Sequence, residues 1–323
     1  MIHTISLLLL RRSMQALLVA LLVSTLSFFL MHHLSGDLAF RIAAGRYGYD
    51  MVTAAAADAV RIELGLDKPI WQGLLMHWQA LLHLDLGNSY ITSAPVIEEI
   101  RVQFGHTLVL ALAALVLSVL IALPIGLLSG LHPGGWLDRI TMGCSLALRA
   151  LPPFLLGILL ILLMSSQLGL TNAASASHEH GGLLLPALTL ALSLAAVSSR
   201  VARDAMAAVR GSAYFQFARS KGLTDLQALL RHGIRNAAVP VIAYLGVQLI
   251  FLMEGVIVIE SLFAWPGIGH ALAHAVFGRD IPMIQGTAIV MGLLFVLCNT
   301  LVDMACMLAD PRQRYLAKHK VAA

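Results

Sequence analysis

The stretch AYFQFARSKGLTDLQALLRHGIRNAAVP, Ala213–Pro240, decides how the rest of the chain is read. It is basic and polar, has Gly222 near its centre, and lies between two long apolar runs. The pattern predicts a short helix over Ala213–Lys221 and another over Thr224–Arg235, with Gly222 as the break. Such an elbow projects an amphipathic, basic helix that can dock into a groove on a partner protein. On charge alone the favoured reading is a solvated loop on the cytoplasmic side of a membrane.

Composition sets the class. Of 323 residues, 59% are hydrophobic and only 12% are charged. A soluble domain carries about 25% charged residues. Mean hydropathy is +0.85. The chain therefore reads as an all-α integral membrane protein. Cys144, Cys298 and Cys306 all fall inside apolar runs, which argues against a disulfide framework or a CxxC metal site. Net charge is only +4, so the placement of charge matters more than its amount.

Six runs have the length and apolarity of a bilayer span: Met14–Met31, Thr107–Leu131, Ile140–Met164, Leu183–Val201, Ala237–Ile259 and Met283–Leu308. Backbone groups in lipid must be satisfied internally, so all six are expected as helices. Lysine and arginine set the orientation. Arg200, Arg203, Arg210, Arg219, Lys221, Arg231 and Arg235 lie between the fourth and fifth runs. Arg11 and Arg12 lie at the start, and Arg312, Arg314, Lys318 and Lys320 at the end. Both termini are thus expected in the cytoplasm. Within the outer segment, IWQGLLMHWQALLHL (Ile70–Leu84) has helical spacing with Trp71 and Trp78, as an interfacial helix would.

Beyond these patterns, ARSKGLTDLQALLRHGIRNAAVPVI resembles the EAA loop of ABC importer permeases, specifically the dipeptide/oligopeptide/nickel family. LGLDKPIW (Leu64–Trp71), LHLDLGNSY (Leu82–Tyr90), IESLFAWPGIGHALAHAVFGRDIPMIQG (Ile259–Gly286) and the closing CNTLVDMACMLADPRQR are similar to the same family. Gln216-Phe217-Ala218 stands where the general motif has Glu-Ala-Ala. The short loop after the third run resembles the nickel permeases, B-type subunits included. The resemblance implies a type I ABC importer permease fold with a cytoplasmic coupling helix. Residues 1–34 would be the cytoplasmic N-terminus and first span, and 35–103 an extracytoplasmic segment. Residues 104–309 would form a five-helix core including the coupling loop 205–236, and 310–323 a cytoplasmic tail.

The resemblance also implies the machinery. A homologous second permease, two cytoplasmic ATP-binding subunits and an extracytoplasmic substrate-binding protein would complete the complex in a bacterial inner membrane. ATP and Mg²⁺ would be held by the partner subunits, with no cofactor on this chain and no nucleic-acid partner. The sequence has no GxxxxGK[ST] run, so it is not expected to be an enzyme. Coupling to the ATPase would fall to Ala213, Tyr214, Gln216, Phe217, Ala218, Arg219, Lys221, Gly222 and Leu223. The cargo would be a small peptide, or nickel or another metal ion or chelate, moved by alternating access. The alternative is an ATP-independent secondary transporter or channel.

Charged residues inside a membrane segment are costly and point to function by default. Arg149, about ten residues into the third run, precedes Pro152-Pro153. It is expected either on the translocation path, against a substrate carboxylate, or snorkelling to an interface. Pro152 and Pro153 free carbonyls that are tolerated beside a cavity. Glu254 in the fifth run is expected either to pair with Arg149 or to face the path, and Asp303 in the sixth is read as structural. His178 and His180 flank Glu179 in the short outer loop, a donor set suited to Ni²⁺ or Zn²⁺, but i, i+2 histidines alone rarely complete a coordination shell, and a plain polar loop is the favoured reading. His270 and His274 have the i, i+4 spacing of a shared metal, though a plain interfacial helix explains them as well.

Overall fold

The structure is a computed structural model. It describes residues 2–33, 37–48, 52–63, 69–83, 85–168 and 182–309. His178 and His180 lie outside these ranges, as do the tail 310–323 and most of LGLDKPIW. Among the described residues every regular element is a helix, accompanied by one isolated antiparallel bridge, Asn88 to Pro95.

In order these are α1 (Ile2–His33), α2 (Leu38–Tyr47), α3 (Ala54–Glu63), α4 (Ile70–Leu82) and α5 (Val96–Leu131). There follow α6 (Trp136–Ala150), α7 (Pro153–Leu168), α8 (Leu184–Arg210), α9 (Ala213–Ser220) and α10 (Asp225–Ala228). A π-turn over Leu229–Gly233 leads into α11 (Ile234–Leu262), then α12 (Ile268–Gly278) and α13 (Ile281–Ala309).

Four of the described helical stretches are long and apolar enough to cross a bilayer: Leu8–Phe29, Val96–Leu131, Leu184–Arg210 and Ile281–Met304. The bent pair α6–α7 makes a fifth if it counts as one span. The run expected over Ala237–Ile259 lies on the 29-residue α11, of which Asn236–Gln248 stands as a shorter apolar helix. The third expected span is broken at Pro152-Pro153. Ile140–Met164 is not one rod, because its two halves meet at 106°. Leu151 precedes Pro152, and that proline forces the residue before it out of the helical region. Leu151 accordingly sits at φ −91°, ψ 127°. Pro153 then opens α7 at the one helical position where its missing N–H costs nothing. Pro124 and Pro240 lie inside α5 and α11.

Contacts divide the chain into two units, Met1–Thr107 with Pro266–Leu297, and Leu108–Trp265 with Cys298–Ala323. In the first, α2 and α3 close a small core of Ala39, Ile42, Ala43, Ala57 and Val60. Asp37 caps α2 through the Ala39 N–H at 3.0 Å and pairs with Arg61 at 2.6 Å. Helix α4 rests on α1, where Trp78 Nε1 donates to Thr25 Oγ1 at 3.2 Å. Trp71 stays exposed.

The LGNSY turn and the RDIP turn, far apart in sequence, are joined here. Asp280 precedes α13 and accepts from Met283 N at 3.4 Å, Tyr90 N at 3.1 Å and the Ser89 hydroxyl. Thr107 Oγ1 accepts from Ile268 N at 2.9 Å, fixing the start of α12. A core of Val96, Ile100, Ile268, Ala275 and Met283 lies around these turns.

The second unit is organised around α8, which packs on α6, α7 and α11. Leu190, Leu194, Leu252, Val256 and Ile259 form its main core. Gly126 and Gly130, one GxxxG pair on α5, let that backbone approach α8 closely. A Cβ at Gly126 would lie 2.5 Å from Ser199 O, and one at Gly130 2.5 Å from Arg203 O. Small-residue approach of this kind is how helices associate without a hydrophobic gradient.

Candidate functional site

Helix α9 is short and sided. Phe215 is 1% exposed, and with Ala218 it packs among Met206, Val209, Ala228, Leu229 and Ala237. Phe215 is absent from the expected set of loop residues, yet it anchors the helix. The opposite face exposes Ala213, Tyr214, Gln216, Phe217, Arg219 and Lys221. Phe217 is 61% exposed, and Lys221 Nζ sits 4.6 Å from its ring centroid.

Both ends of this helical hairpin are built from sequence. Gly222 takes φ +86°, open to glycine at little cost. Its N–H reaches Arg219 O at 2.9 Å, and the next N–H, of Leu223, reaches Ala218 O at 3.4 Å. These are the paired bonds of a Schellman helix end. Half-buried Leu223 joins Ala218 in the core beneath. Thr224 and Gln227 then form a capping box: Thr224 N donates to Gln227 Oε1 at 3.1 Å, and Gln227 N to Thr224 Oγ1 at 3.3 Å. The helix begun there does not stop near Arg235 as expected. It runs through the π-turn into α11.

The second feature is a cavity of about 470 Å³ between α6, α7, α8 and α11. Arg149, Pro153, Phe154, Ser193, Leu194, Val197, Tyr244, Gln248, Phe251 and Val258 are among its lining residues. Arg149 occupies the last turn of α6, just before the break, rather than the interior of a continuous span. Its charge there complements the helix dipole. Pro152 is exposed in the break and is not part of the lining. Glu254 lies on α11, but its side chain is outside the described set. Gln248 was not anticipated. It is 2% exposed, and its Nε2 donates to Leu194 O at 2.7 Å.

Asp138 was missed as well. On the first turn of α6 it is buried, and it accepts from Arg203 Nε at 3.0 Å and Nη2 at 2.5 Å. It also accepts from Arg200 Nη1 at 3.1 Å and Gly134 N at 2.9 Å. Arg200 and Arg203, counted by sequence as loop charge, are thus structural clasps between α6 and α8.

A further cavity of about 480 Å³ is lined by Ser89, Glu99, Gln103, His270 and His274 among others. His270 and His274 place their Nε2 atoms 3.1 Å apart. Burial, and then the neighbouring His274, hold His270 below the usual histidine range. Among the described residues no group of three or more His, Cys, Asp or Glu side chains is arranged to hold a metal ion.

Comparison with known proteins is consistent across the chain. Residues 122–315 match the family described as binding-protein-dependent transport system inner membrane component. Residues 5–111 match the N-terminal component of the same kind of transport protein. The chain is 38% identical over 296 residues to a glutathione transport system permease protein of Pectobacterium atrosepticum, covering 91% of this chain and 94% of that one. It is 36% identical over 295 residues to the Escherichia coli protein of the same description, covering 91% and 94%. A putative peptide transport system permease protein of Brucella abortus is 36% identical over 315 residues, covering 95% and 99%.

Proposed function

The chain belongs to the family of binding-protein-dependent transport system inner membrane components, and on that premise we propose that it is one of two transmembrane subunits of an ATP-driven importer. It would span the membrane six times, through α1, α5, the broken pair α6–α7, α8, α11 and α13, with both termini in the cytoplasm. Two ATP-binding subunits would dock on the cytoplasmic side, and a substrate-binding protein would deliver cargo on the other.

The observation that carries this reading is the construction of α9. An isolated eight-residue helix is not stable in water. Here Phe215, the Schellman end and the adjoining capping box hold it rigid, while Tyr214, Phe217, Arg219 and Lys221 remain outward. A solvated loop has no need of such support. A rigid aromatic and basic knob can transmit a push, and closure of the ATPases would rock it as a body and switch the access of the pore. The α6–α7 break with Arg149, Pro152 and Pro153, and α11 with Glu254, would line the path.

The cargo is read as a small peptide. The compared relatives are named for glutathione or peptide transport. None of them is named for a metal, so the nickel reading built on His178 and His180 draws no support from them. The test is Phe217→Ala with Tyr214→Ala in the assembled complex. Because both side chains are exposed, the chain should insert and fold normally while the ATPase subunits dissociate more readily and peptide uptake falls. Unchanged co-purification and uptake would contradict the docking role.

A further inference from the structure

Gln248 sets the chemistry of the α6–α8–α11 cavity. Its side chain is 2% exposed and its amide nitrogen is committed to Leu194 O at 2.7 Å, yet Oε1 has no hydrogen-bond partner among the described residues. A buried acceptor left in this state is costly, and a turn of the amide toward the cavity would let an incoming N–H satisfy it. Arg149 shares the cavity. The described ion pairs and hydrogen bonds give its guanidinium no carboxylate, unlike Arg200 and Arg203, both of which hold Asp138. Arg149 is exposed, and with no carboxylate among the described side chains it can take an incoming anion; guanidinium matches a carboxylate in two-pronged geometry.

The remaining lining restricts the ligand further. Ser193 Oγ already donates to Thr189 O at 3.1 Å, so only its acceptor lone pairs remain for a ligand. Tyr244 adds a phenol, while Phe154, Val197 and Phe251 are apolar and make no hydrogen-bonding demand on a side chain. At about 470 Å³ the cavity has the size of a small-molecule site.

We propose that Arg149, Gln248 and Tyr244 form a recognition point inside the permease for small peptides with a free carboxylate, Arg149 taking the carboxylate and Gln248 Oε1 a backbone N–H. The inference rests on reading this cavity as part of the translocation path. It adds that the permease itself selects cargo, by charge and backbone rather than by side chain, and that a bare divalent cation is repelled by Arg149.

The test uses proteoliposomes of the complete complex with saturating binding protein and a radiolabelled tripeptide. Arg149→Gln should lower uptake roughly ten- to hundredfold, the range expected for one charged hydrogen-bonding partner. Complex assembly, read by co-purification of the ATPase subunits, should persist, and Arg149→Lys should recover much of the uptake. Gln248→Leu should lower uptake about threefold to tenfold. Wild-type uptake in Arg149→Gln overturns the proposal. If that variant fails to assemble, Gln248→Leu and Tyr244→Phe decide, and unchanged uptake in both overturns it equally. A wild-type complex that moves no peptide at all contradicts the importer reading instead, which separates the two failures.

Discussion

Replacing Gly222 separates backbone from side chain in the proposed coupling loop. The residue holds φ +86°, and a Cβ built there meets nothing within 4 Å. Gly222→Ala therefore adds no clash, and its cost is the left-handed backbone alone, about 1 kcal/mol. That weakens the closed turn about fivefold, which a loop anchored by Phe215 tolerates. Gly222→Pro differs in kind. Proline is fixed near φ −65° and has no N–H, so both the turn and the 2.9 Å bond to Arg219 O are lost. The cost is about 3 kcal/mol or more, over a hundredfold in the population of the turn. The assay is binding-protein-stimulated ATP hydrolysis and peptide uptake in the reconstituted complex, with membrane insertion checked separately. Gly222→Ala should retain most of both activities. Gly222→Pro should insert normally and lose both. Normal uptake by inserted Gly222→Pro would refute the reasoning, as would an alanine variant as damaged as the proline one.

Three further expectations follow from the packing and charge. Asp138→Asn leaves Arg200 and Arg203 without their shared anion and should destabilise the purified chain by about 2 kcal/mol, read as a lower Tm, with Asp138→Glu losing less. Gly130→Val places a branched side chain where even a Cβ would be 2.5 Å from Arg203 O and 2.7 Å from Met206 Cβ. The α5–α8 contact should open, at about 1–3 kcal/mol, with a smaller yield of monodisperse protein. His270 is depressed by burial and by His274, so the unfolded chain binds its proton more readily than the folded one. The stability it contributes is present above the ordinary histidine value, about 6.5, and is lost as pH falls through the lowered value. Thermal unfolding between pH 7.5 and 5 should show this slope, and His270→Leu should flatten it.

The local grammar of the chain was legible wherever a single residue type does one job. Gly222 read as a break because φ beyond zero is glycine's region, and the helix expected from Thr224 does start there, held by the reciprocal bonds of Thr224 and Gln227. Trp71 and Trp78 marked α4. Proline was harder: the pair at Pro152-Pro153 was visible as a kink, but its 106° angle depends on Leu151 being driven extended. The clasp on Asp138 was not legible, since its arginines lie 62 and 65 positions away and resemble ordinary loop charge. The lone acid in the first turn of α6 was the available sign. Gln248 was likewise visible as a single amide in an apolar run, but only folding shows that one end of it is left unpaired.

The central claim is that peptide transport is driven through this chain by ATP hydrolysed elsewhere. Its most direct test is ATP hydrolysis and uptake by the chain reconstituted with its partner permease, ATPases and binding protein, comparing peptides with Ni²⁺ free or chelated. The account predicts stimulation and accumulation with peptides, and neither without the ATPases. Uptake that proceeds without ATP, or stimulation by nickel alone, would contradict it.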